Sequence, residues 1–272
     1  MFIKAYRFVQ ALSIDVALGA VVLSTAMAKY LDVELNWAIQ LSLFLCVWLF
    51  YSIDHLMDSD QLISPDVSLR HYIHFRYKEE IVYTMVMAIL IGIITVFYLP
   101  IQVIIWGVSA AAFIVIYFLV VRFTRFWAKE LFVALGYTAG IFLAPLAMSH
   151  DPKIADLMLL GLQVFFLAII NLLIFSYYDI ELDANSGFNS MVTRFGQSNV
   201  YLLILGLILL SLIVLFLLLW SDHDSILNWS FGLMNFGLVF LILRPSLFKQ
   251  HDYYRVLGDG IFFFPIGYLI YA

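Results

Sequence analysis

Cysteine is nearly absent from this chain. Cys46 is the only one in 272 residues, which excludes intrachain disulfides and any cysteine-built zinc or iron–sulfur centre. Charge is scarce too. Asp, Glu, Lys and Arg together make up 12% of the residues, too few to give a folded chain of this length a water-facing surface. No Lys/Arg tract occurs and the net charge is −5, so nucleic acid is excluded as a partner. What fills the chain is apolar: 64% of residues, against about 45–50% in an ordinary globular protein, with a mean hydropathy of +1.01. This is the composition of an all-α polytopic membrane protein whose partner is the lipid bilayer. The apolar runs are continuous and do not alternate, which argues against a barrel.

At about 20 apolar residues per crossing, the sequence predicts nine transmembrane helices, at 10–31, 36–56, 81–99, 101–121, 130–148, 157–178, 199–220, 227–243 and 255–272. They form a single bundle and one domain over 1–272. The N-terminus does not read as a cleaved signal, because Asp15 interrupts the first apolar stretch.

Two places collect much of the remaining charge. The second span ends FYSIDHLMDSD (50–60) and the sixth ends SYYDIELD (176–183). Each places two aspartates four residues apart, Asp54 with Asp58 and Asp179 with Asp183, which stacks both carboxylates on one helix face. Like charges at that spacing repel, and a helix C-terminus is itself partly negative. Such pairs near the lipid boundary are costly unless something positive sits between them. All-oxygen donors select a hard cation, and Mg²⁺ commonly bridges carboxylates to phosphates. The bland alternative is that helix ends simply become acidic where they meet water. Two pairs at equivalent places, four spans apart, read instead as two parallel pseudo-repeats, each offering one acidic helix end.

These segments resemble the UbiA superfamily of intramembrane prenyltransferases. DIELDANSGFNSMVTRFG (179–196) is similar to that family's second aspartate-rich segment, D-I-E-x-D-x-x-x-G-x-x-T-x-x-x-R-x-G. Asp179, Glu181, Asp183, Gly187 and Arg194 to Gly196 match, with Ser190 where Thr is usual. Asp54 and Asp58 match the aspartates of the first motif, N-D-x-x-D-x-x-x-D, and Tyr117 and Arg122 match a Y-x-x-x-K-R segment. The resemblance implies a Mg²⁺-dependent enzyme acting on an isoprenyl diphosphate. The four aspartates would be its catalytic metal ligands at the mouth of an apolar chamber. Arg70, Arg76, Tyr117, Arg122, Lys129 and Arg194 are the candidate diphosphate-binding residues. The departures are equally specific. Phe50 and Tyr51 replace the Asn-Asp that opens the first motif, no Lys-x-Arg-Pro follows it, and Phe188 and Asn189 stand where basic residues are usual.

Several other residues admit two readings. Arg70, His71, His74, Arg76 and Lys78 could clamp phosphate or merely follow the excess of loop cations on the cytoplasmic side. Lys129 beside Glu130 could be a diphosphate ligand or part of a helix-end ion pair. Asp15 and Asn171 could serve structure or substrate. The crowd Asp252, Tyr253, Tyr254, Arg255 and Asp259 reads as an interhelical polar network. Three functions remain open: prenyl transfer to an aromatic or other nucleophilic acceptor, cyclisation of the isoprenyl diphosphate itself as in UbiA-type terpene cyclases, and a non-catalytic protein that kept the fold. Product analysis with isoprenyl diphosphates alone separates the first two.

Nine spans place twelve of the fourteen Lys and Arg residues on one side, leaving Lys29 and Lys153 on the other. By the positive-inside rule the N-terminus and the acidic helix ends are cytoplasmic and the C-terminus is outside, in the plasma membrane if the source is bacterial. A reporter at Met1 or beside Arg70 should therefore map to the cytoplasm and one at Ala272 to the opposite side. Both termini mapping to one compartment would refute the nine-span topology.

Overall fold

The structure, a computed structural model, describes residues 2–59, 69–124, 127–150, 153–186, 190–221, 225–249 and 252–271. The side chains of His71, Arg122 and Asp183, and the loop residues Gly187, Phe188 and Asn189, lie outside the described residues. Among those described, the chain is helical throughout, with no strand. The helices are α1 (Phe2–Ala11), α2 (Ile14–Tyr30), α3 (Trp37–Ser59), α4 (Leu69–Arg76), α5 (Lys78–Val96), α6 (Ile101–Phe123) and α7 (Lys129–Met148). They continue as α8 (Ile154–Ser186), α9 (Met191–Phe195), α10 (Gln197–Trp220), α11 (Ser225–Leu243), α12 (Pro245–Phe248), α13 (Tyr253–Gly260) and α14 (Ile266–Tyr271).

Seven described helices are long and apolar enough to cross a membrane: α3, α5, α6, α7, α8, α10 and α11. The expected count of nine is not reached by that measure, and the shortfall has a physical cause at each end of the chain. At the first expected span, Ser13 takes a left-handed backbone (φ 54°) and separates α1 from α2, which is 17 residues long. At the last, α13 passes into a short 3₁₀ turn (Ile261–Phe263) before α14, and Pro265 has no N–H to continue an α-helical ladder. Both segments pack inside the bundle. Lys29 Nζ closes them together, donating to the carbonyls of Tyr268 and Leu269 at 3.3 Å, a cation at the carbonyl end of α14.

Helix α8 is the axis. Its 33 residues span about 50 Å, more than the roughly 30 Å hydrocarbon core, so its acidic end extends toward the headgroup region. It packs on α7, α10, α11 and α13, and Leu167, Ile170, Leu173 and Ile174 are fully buried. By contrast α5, α6 and α10 expose large apolar side chains such as Ile93, Ile105 and Leu209, the outward faces a lipid solvent permits. Helix α2 is built for close approach, with Ala17, Ala20 and Ala26 fully buried, small residues of the kind that let membrane helices touch.

Among the described glycines, the closest approach is that of Gly258 on α13 to α8. A Cβ there would overlap both the Asn171 amide oxygen and the Phe175 ring, whereas at Gly206 it would meet nothing within 4 Å. Gly258→Ala should therefore cost about 1–3 kcal/mol by overpacking, and Gly206→Ala should be neutral or slightly stabilising. Thermal unfolding in detergent reads both, and equal melting temperatures for the two variants would contradict this packing.

Candidate functional site

The last turns of α3 and α8 bring the two acidic segments to one end of the bundle. On α3, Asp54 Oδ1 accepts a hydrogen bond from the buried Tyr117 hydroxyl at 3.2 Å. One turn further, Asp58 Oδ2 pairs with Lys129 Nζ at 3.2 Å. The Phe50 ring, where the first motif would open with Asn, packs 5.2 Å from both Tyr117 and Phe118. The position is therefore an aromatic wall, not a polar ligand.

The start of α7 connects the two halves. Lys129 reaches α3, and its neighbour Glu130 reaches the other way, its Oε1 accepting from the Ser176 hydroxyl at 2.8 Å and the Met191 N–H at 3.0 Å. Lys129 thus pairs with a motif aspartate of another helix. Ser190 proves to be a helix cap: it and Thr193 bond reciprocally at the start of α9, satisfying N–H groups that a helix start leaves free.

Asp179, on α8, is held from α13. Its Oδ1 accepts from the Tyr254 hydroxyl and its Oδ2 from the Arg255 guanidinium. The guanidinium lies 5.2 Å over the Phe175 ring, and the Tyr254 ring stacks on Tyr178 with centroids 4.5 Å apart. These contacts fix the pair geometrically as well as electrostatically. The repulsive arrangement expected from the sequence is thereby relieved within the chain: Asp58 and Asp179 each meet a cation from another helix, and Asp54 meets a hydroxyl.

Arg70 on α4 is buried and turns inward. Its Nη2 reaches Asp259 Oδ2 at 3.4 Å and the Gln10 carbonyl at 3.5 Å, while its Nε has no partner. Burial, and the like charge of Arg255, push the Arg70 guanidinium below its ordinary value, although a guanidinium stays charged in a protein. His74, a turn on, shares a hydrogen bond between Nδ1 and the Arg70 carbonyl at 2.9 Å. Burial lowers its pKa, which keeps the imidazole neutral at pH 7. Arg76 and Arg194 are exposed and stand outside this cluster, Arg76 lying 5.9 Å from the Tyr77 ring.

Tyr51, Arg70, Tyr137, Asn171, Phe175 and Asp259 line a common cavity of about 30 Å³, room for about two waters. Tyr51 precedes Asp54 by one turn and Phe175 precedes Asp179 by one turn, so a residue one turn before each acidic end lines this cavity. The Tyr137 hydroxyl and the Asn171 amide oxygen are buried there without hydrogen-bond partners. This cavity is small and partly polar. Sequence reasoning read Tyr254, Arg255 and Asp259 as a structural network and missed their direct grip on Asp179 and Arg70. The signal was the crowding of opposite charges at the start of an otherwise apolar helix.

A family model for the UbiA prenyltransferase family matches residues 76–256, a stretch that contains Asp179 and Arg255 but not Asp54 or Asp58. Among solved structures the chain is similar to a UbiA homologue from Archaeoglobus fulgidus bound to GPP and Mg²⁺, at 13% identity and a TM-score of 0.65, covering 95% of this chain and 98% of that one. The same homologue bound to DMAPP and Mg²⁺ aligns with a TM-score of 0.66 at 12% identity, over 97% and 99% of the two chains. A digeranylgeranylglyceryl phosphate synthase structure aligns at 0.56 and 12% identity, over 98% of each chain. No curated protein matches the chain by sequence. The family match spans well over half of the chain and the fold agrees with it along nearly its whole length, so this protein belongs to the UbiA prenyltransferase family.

Proposed function

We propose that residues 1–272 act as one membrane-embedded prenyltransferase that ionises an isoprenyl diphosphate and transfers the prenyl group to an acceptor. One observation carries this reading: two acidic helix ends are each met by a basic residue of another helix, and Tyr51 and Phe175, one turn before them, line a shared cavity with Arg70. Membership of the family supports it, as do the homologue structures that hold GPP or DMAPP with Mg²⁺. The positive-inside count supports a diphosphate entrance on the cytoplasmic side.

The first acidic pair fits Mg²⁺. Asp54 and Asp58 offer hard oxygen donors on one helix face, and Asp54 spends only Oδ1 on Tyr117. Among the described residues no group of three or more His, Cys, Asp or Glu side chains comes together as a metal site. Water and phosphate oxygens would complete the shell, as Mg²⁺ prefers. When bound, the ion neutralises charge on the departing diphosphate.

The chain's own residues do the rest. Arg70, Lys129 and Arg255 place positive charge where the electron pair of the breaking C–O bond collects on the leaving oxygen. Phe50, Tyr117 and Phe118 form a wall that keeps water from the cation. The ring faces of Tyr51, Tyr137 and Phe175 can steady positive charge on the prenyl carbon, until an acceptor attacks it and gives up a proton. That aromatic lining also favours a second reading, in which the cation is captured by its own double bonds and leaves as a cyclic product.

The test uses the full chain in nanodiscs with diphosphates of several prenyl lengths, with and without Mg²⁺, followed by mass spectrometry. Pyrophosphate release that needs Mg²⁺, and falls by roughly a hundredfold or more in Asp54→Asn, is the expected result. Products from diphosphate alone that are cyclic would select the second reading. Release that is unaffected by Asp54→Asn, or its complete absence with every diphosphate, would overturn the proposal.

A further inference from the structure

Four helices each bring a polar side chain to the cavity that Tyr51 and Phe175 line: Arg70 from α4, Tyr137 from α7, Asn171 from α8 and Asp259 from α13. All four are more than nine-tenths buried, with exposures of 7%, 8%, 4% and 3%. Asp259 is answered by Arg70 Nη2 and stands beside Asn171. In this lining Arg70 Nε, the Tyr137 hydroxyl and Asn171 Oδ1 have no hydrogen-bond partner among the described residues. Leaving such atoms unmet inside a membrane bundle is costly. Their chemistry says what would meet them. Arg70 Nε only donates, Asn171 Oδ1 only accepts, and the Tyr137 hydroxyl does either. The complement is a small group that both accepts and donates, which is an O–H. A volume of about 30 Å³ suits about two waters and is too small for a phenol ring. Val16, Leu172 and Phe262 on the other walls are apolar, so the polar atoms alone fix where a water sits.

We propose that the prenyl acceptor is water, held in this cavity by Arg70, Tyr137 and Asn171, and that the product is a prenyl alcohol. This rests on the reading of the chain as one that ionises an isoprenyl diphosphate, with the rings of Tyr51, Tyr137 and Phe175 beside the cation. The allylic C–O bond breaks and its electron pair leaves on pyrophosphate. A lone pair of the held water forms the new C–O bond, and the proton it gives up passes to the Asp259 carboxylate in the same cavity. No further co-reactant is needed. The wall of Phe50, Tyr117 and Phe118 has a different task. It excludes bulk solvent, which would attack the cation from any side, whereas a water fixed by polar atoms attacks from one direction.

The experiment supplies geranyl or farnesyl diphosphate with Mg²⁺ to the full chain in nanodiscs, in ¹⁸O-labelled water, and subtracts protein-free nanodiscs. Mass spectrometry should find an alcohol, linear or cyclic, that carries the label, and unlabelled pyrophosphate. Tyr137→Phe and Asn171→Leu keep the shape of the lining and each remove a hydrogen bond to the water. In each, the ratio of alcohol to hydrocarbon, the product when the cation loses a proton instead, should fall about threefold to tenfold, the factor one such bond carries. That ratio is taken among molecules already ionised, so poorer folding lowers both products and leaves it unmoved. Hydrocarbon as the only product, or a ratio unchanged in both variants, would overturn the inference and leave the diphosphate reading standing. So would pyrophosphate release that begins only when a phenol is added. Label in the pyrophosphate instead of the alcohol, or no release with or without the phenol, would overturn both.

Discussion

A charge inside a bilayer-spanning bundle must be answered by another charge or a hydrogen bond, because the surroundings cannot solvate it. That constraint organises this protein. The described buried or half-buried ion pairs, Arg70–Asp259, Lys129–Asp58 and Arg255–Asp179, each join two helices distant in the sequence. Of these pairs Arg70–Asp259 lines the cavity, while the outward faces of α5, α6 and α10 are left to lipid. Buried pairs of this kind contribute little net stability compared with an apolar contact, but removing one partner is expensive. They therefore specify where helices meet more than they strengthen the bundle.

The start of α7 illustrates how two adjacent residues serve two directions. Lys129 answers a carboxylate on α3, and Glu130 holds Ser176 of α8 and the first N–H of α9. A change in the position of this helix end would shift both acidic segments together. The site is thus assembled from sequence-distant parts that share one fulcrum, not from two independent motifs.

Much of this was legible in the sequence. Continuous apolar runs identified the helical membrane class, and the i, i+4 spacing of Asp54 with Asp58 marked the helix end on which Tyr117 and Lys129 converge. Lys129 was legible only as an alternative between phosphate ligand and ion pair, because periodicity does not say which neighbouring helix a terminal cation faces. The partners of Asp179 were hidden for a related reason. Tyr254 and Arg255 lie on a short helix, α13, whose docking on α8 depends on the close approach at Gly258. The helix count suffered where apolar content and helical length part company, at Ser13 and at the 3₁₀ turn before α14, since hydropathy does not register a backbone interruption.

The order in which the chain is made gives the last helices a particular weight. Asp179 and Arg70 enter the membrane boundary well before the residues that answer them, 254 to 259, have been synthesised. Until α13 docks, a carboxylate and a guanidinium wait without their native partners, open to water, to lipid headgroups or to one another. Completion of the bundle by its final segment is then the step that converts a set of tolerated surface charges into an interior site. The chain cannot hold that site in its finished form until Tyr254, Arg255 and Asp259 are in place.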